Sequence, residues 1–69
     1  MNTTQQAVAR KLVAARNAFL KANNAFNIAD EGGALTEATM PLWFSVEITH
    51  AELQAAEWRA RQAGVFKVA

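Results

Sequence analysis

Sixty-nine residues without cysteine and with a single histidine make one small domain that has neither disulfides nor an ordinary metal cluster to staple it. A 52% hydrophobic composition fits a helical protein with closely packed interfaces better than a disordered peptide, and a net charge of +1 gives no electrostatic reason for a nucleic-acid or membrane partner. Self-association is the remaining way for so short a chain to complete a core.

The first helix is expected at about residues 4–28, after Thr3 or Thr4, either of which can cap free backbone donors. Along it Val8, Leu12, Ala15, Phe19, Ala22 and Phe26 step in alternating fours and threes, the spacing of a continuous helical seam. Asn23, Asn24 and Asn27 weaken its last turns, and Gly32-Gly33 favours a reversal within a loop at 29–38. Thr36 or Thr39 can cap the second helix, expected at about 40–63, with Pro41 in the one turn that tolerates it and Gly64 as its stop. Leu42, Val46, Thr49, Leu53, Ala56 and Ala60 form the second ladder. Folded antiparallel, Phe26 meets Leu42, Ala22 meets Val46, Phe19 meets Thr49, Ala15 meets Leu53, Leu12 meets Ala56 and Val8 meets Ala60. Large faces small in most layers. The fold class is therefore all-α, a single helical-hairpin domain over residues 1–69, with a tail from Val65 to Ala69 that docks or frays.

A competing arrangement starts the second helix later. Thr49 and Glu52 have the spacing of a capping box, with Ile48 placed to touch Leu53 as its staple. Leu42 to Ile48 then becomes a strand, and the helix, strand, helix order resembles small phage head–tail joining proteins in outline. The weakness of this alternative is a lone strand whose only local partner is Leu35 to Thr39.

A continuous second helix has two apolar faces. At about 100° per residue, Phe44, Ile48, Ala51, Ala55 and Trp58 fall nearly opposite the seam. The expected cover for that face is a second copy, giving a homodimeric four-helix assembly with Ala51 and Ala55 at its centre.

Charge is segregated: Arg10, Lys11, Arg16 and Lys21 precede every acid, whereas residues 30–57 hold all six acids and no Lys or Arg. The antiparallel register brings Lys21 towards Glu47 and Arg10 or Lys11 towards Glu57, complementarity that selects orientation. No signal-peptide or membrane-spanning pattern is present, and lack of cysteine suits a reducing compartment. The expectation is the cytoplasm, that of the host cell for a phage-encoded chain.

No catalytic, cofactor or metal site is expected. His50 with Glu47 is too sparse a ligand set for a metal and reads as a solvated histidine; Ser45 has no base at helical spacing. Trp43 falls on the polar side with Glu47, His50, Gln54 and Arg61, where it anchors a protein partner or folds back on the hairpin end. Arg59 and Arg61, with Gln62, form a basic cluster suited to an acidic partner or simply to the helix dipole. The candidate partner surface is Trp43, Glu47, His50, Arg59 and Arg61.

The alanine-rich hairpin, the absence of cysteine and the tail Arg59-Ala60-Arg61-Gln62-Ala63-Gly64-Val65-Phe66 resemble the small early proteins of Pseudomonas-type temperate phages, in particular the anti-quorum-sensing helical-hairpin proteins. That resemblance implies a non-enzymatic homodimer that binds host proteins: the DNA-binding domain of a quorum-sensing regulator, or the assembly ATPase of type IV pili. The expected function is thus a host-surface inhibitor. The alternatives are a phage assembly subunit and a small DNA-binding repressor reading bases with Arg59 and Arg61.

Overall fold

In the computed structural model, which describes residues 2–29 and 35–65, two helices form an antiparallel hairpin: α1 (Thr3–Ala29) and α2 (Met40–Gln62). Both bounds lie within one residue of the sequence expectation. Gly32-Gly33, the acids Asp30 and Glu31, and the tail beyond Val65 lie outside the described residues. The molecule is a rod of 46 × 17 × 14 Å.

Local chemistry fixes the start of α1 and both ends of α2. The start of α1 is capped by Asn2, not by Thr3 or Thr4: the Gln5 N–H donates to Asn2 Oδ1 at 2.8 Å and the Asn2 N–H donates to Gln5 Oε1 at 3.1 Å. This reciprocal capping box satisfies two backbone donors. Gln5 reaches further, its Nε2 donating to the Ala63 carbonyl at 2.9 Å and so tying the start of α1 to the end of α2. Before α2, Thr36 and Thr39 act together. The Thr36 N–H donates to Thr39 Oγ1 at 2.9 Å, and the Thr39 N–H donates to Thr36 Oγ1 at 3.2 Å, with Thr39 buried. Pro41 sits in the first turn, where no N–H is required of it.

The end of α2 is a Schellman motif. The Val65 N–H bonds the Ala60 carbonyl at 2.7 Å, the Gly64 N–H bonds the Arg61 carbonyl at 3.1 Å, and Gly64 has φ +81°. The motif turns Val65 back into the core, so this residue of the tail docks. Leu12, Ala56, Ala60 and Val65 form the buried cluster, with Val8, Ala9, Ala15, Leu53 and Ala63 packed around it. Val46 is buried nearer the turn.

Helix α2 is continuous through residues 42–49, so the strand alternative is overturned. The Thr49 hydroxyl, free to cap a shorter helix, instead turns back and donates to the Ser45 carbonyl at 2.7 Å; Ser45 Oγ donates likewise to the Pro41 carbonyl at 3.2 Å. Such i to i−4 bonding accommodates both hydroxyls inside a helix. The expected pairings of Lys21 with Glu47 and of Arg10 or Lys11 with Glu57 form no ion pair. Among the described residues, apolar packing and the end caps join the helices.

Candidate interaction surfaces

Each flank of the seam has its own chemistry. On one, two ring pairs bridge the helices: Phe26 and Trp43 at 5.3 Å between centroids, Phe19 and His50 at 5.4 Å. Both pairs are tilted, at 52° and 39°, and each pair is seven residues from the other along both helices. Tilted contact at this range places ring edges towards ring faces. The ladder expected Leu42 opposite Phe26 and Thr49 opposite Phe19. The rings of Trp43 and His50, one position further along α2, reach in from the flank to meet the same two phenylalanines.

Trp43 is consequently not a freely presented side chain on the polar side. It is half-buried against α1, closer to the alternative in which it lids the hairpin end. His50 is exposed, yet its ring rests on Phe19 and is not surrounded by solvent alone. Glu47 is exposed and shares this flank by helical spacing.

Arg59 and Arg61 do not make one cluster. Arg59 lines a groove with Lys11 and Glu52, whereas Arg61 lines a recess on the other flank with Arg16 and Glu57. Two residues apart on a helix point about 200° apart, which places them on opposite flanks. A repressor using both as base readers would need them on one face, so this geometry does not favour DNA recognition by that pair.

The groove beside Arg59 was not legible as a site. It measures about 480 Å³ and is floored by Ala14, Ala15 and Ala18 from α1 and Ala55 and Ala56 from α2. Its sequence signal, Ala14 and Ala18 recurring with Lys11 and Lys21 along the edge of the α1 ladder, is hidden by the abundance of alanine elsewhere.

On the back of α2 the expected dimer stripe is open along its whole length. Phe44, Ile48 and Trp58 are 52, 59 and 63% exposed, and Ala51 and Ala55 between them are exposed as well. No described large side chain is completely buried in the hairpin itself. Three large apolar side chains on the back of α2 are thus more than half exposed.

Comparison with known proteins gives no match to any family, to any characterised protein or to any solved structure. No described helix is long and apolar enough to cross a membrane, and the described residues hold no group of three or more potential metal ligands.

Proposed function

We propose that the chain is a small, non-enzymatic protein-interaction module that works as a homodimer and occupies the surface of a host protein. The observation that carries this function is the uninterrupted exposed stripe Phe44, Ile48, Ala51, Ala55 and Trp58, an apolar face running along the outer side of α2. Monomeric proteins rarely leave such a face to water. With the stripe consumed by the second copy, the flank carrying Trp43, Glu47, His50 and Arg61 is left for a target, and Arg59 lies beside the alanine groove. Inhibition is steric: a rigid helical platform covers the place where the target's own partner sits.

The class of target comes from the resemblance to anti-quorum-sensing hairpin proteins, which suggests the DNA-binding domain of a quorum-sensing regulator or the pilus assembly ATPase. The test is a titration of the protein into such a regulator already bound to a labelled operator duplex, with the pilus ATPase assayed in parallel. Release of the duplex together with a stoichiometric protein–regulator complex is the expected result, as is loss of ATPase activity if the motor is the target. Failure to bind either, combined with open-ended self-assembly into rings or filaments, would transfer the chain to the structural-subunit class.

A further inference from the structure

We infer that a second copy of the chain packs antiparallel on the back of α2 in one register, with Phe44 of each copy seated on Ala55 of the other and Ile48 on Ala51. This rests on the homodimer proposed above and specifies how its two copies meet.

The five stripe residues alternate four and three apart, so each can serve as a knob on a facing helix. Antiparallel layers in such a pair keep a constant sum of residue numbers. The sum that pairs Phe44 with Ala55 also pairs Ile48 with Ala51 and brings Trp58 over Pro41. Every layer then sets a large exposed side chain on a small one or on the helix start, and the two copies overlap along nearly all of α2. The same size rule fills the seam inside the hairpin, where Leu12 lies against Ala56 and Ala60.

Other registers lose this match. A slide of one heptad places Ile48 against Trp58 and Ala51 against Ala55, which crowds one layer and leaves a gap in the next. It also sets Glu52 against Glu52 of the other copy; in return it gains only an exposed Glu47–Arg61 pair, a weak compensation. A parallel arrangement stacks Phe44 on Phe44 and Trp58 on Trp58, with alanine on alanine between them. In the inferred register the flanking neighbours are Ser45 with Glu52 and Glu47 with Gln54, so no like charges meet.

The alanine groove gives this register room. Ala55 is part of its floor, next to Ala14 and Ala18, so a phenyl ring arriving over Ala55 has open space of about 480 Å³ beside it. Because the stripe lies opposite the seam, the assembly is a flat one, with the two α2 helices in the middle and each α1 outside. This accounts for the apolar residues on both sides of α2; α1 exposes Leu20 and Ile28 on its own outer side.

A size exchange tests the register. Phe44 and Ala55 are both exposed in the hairpin, so neither substitution enters its core, and helical circular dichroism checks that each variant is folded. In sedimentation equilibrium, Ala55→Phe alone is expected to weaken dimerisation by about tenfold through overpacking. Phe44→Ala added to Ala55→Phe restores the dimer to within about threefold of the original, because the exchanged pair again presents one large and one small residue. Trp58→Ala added to Ala55→Phe gives no such rescue. A wild-type dimer in which the double exchange is no tighter than Ala55→Phe overturns this register while leaving the homodimer in place. A folded wild-type monomer at every concentration overturns the register and the homodimer together.

Discussion

Gly64 sits at φ +81°, where a side chain strains the backbone, although a Cβ there would meet only Gln5 Nε2 at an ordinary 3.5 Å. The cost of Gly64→Ala is therefore conformational, expected at about 1–2 kcal/mol and read as a lowered denaturation midpoint. Trp43 offers the sharper contrast, since its ring serves the hairpin by packing on Phe26. Trp43→Ala is expected to destabilise the fold by about 1–2 kcal/mol, seen in thermal melting. If the melt is unchanged while target binding disappears, Trp43 belongs to the target surface alone. The placement of this side chain was not legible in the sequence, because a wheel drawn at a fixed angle per residue puts it among polar neighbours. A ring long enough to bridge the flank reaches the partner helix all the same. Asn2 was obscured for a different reason: two threonines follow it, and only the position of Gln5 reveals which of the three residues completes the box.

At the level of the helices, periodicity was highly informative, and the capping signals around α2 (Thr36 and Thr39, Pro41 and Gly64) also held. The two ladders place Leu12, Val46, Ala56 and Ala60 in the buried set, and the lengths of both helices follow from them. The Thr49–Glu52 motif, by contrast, has the right letters for a helix start and lies in mid-helix. A capping box needs a chain that is not already helical, and the Ser45 carbonyl offers the Thr49 hydroxyl a partner without breaking the helix. Ser45→Ala discriminates between the two conformations of this segment. In the helix it should raise stability by about 0.5 kcal/mol, since alanine is the better helix former and the Ser45 hydroxyl bond is exposed. In a strand the same change would lower it. Equilibrium urea unfolding of the two proteins side by side gives the sign.

For the whole molecule, cohesion among the described residues comes from alanine-rich packing and end caps, with no ion pair between the helices. The melting temperature at fixed protein concentration is accordingly expected to change little as sodium chloride is raised from low to physiological levels. A pronounced fall would show that the segregated charges hold the hairpin together after all. The molecule is also uneven from end to end. Its buried cluster, the Schellman turn and the Gln5–Ala63 bond lie at the open end, and the latter joins residues 58 positions apart. The Phe26–Trp43 rung lies near the turn, where closure costs the chain less entropy. Contacts between near neighbours form first in such a topology. The open end is then expected to close after the folding barrier like a latch, its strength going mainly into slowing the escape from the native state. Loosening Gln5, Leu12 or Val65 should shorten the lifetime of the folded hairpin while leaving the speed at which it forms nearly untouched.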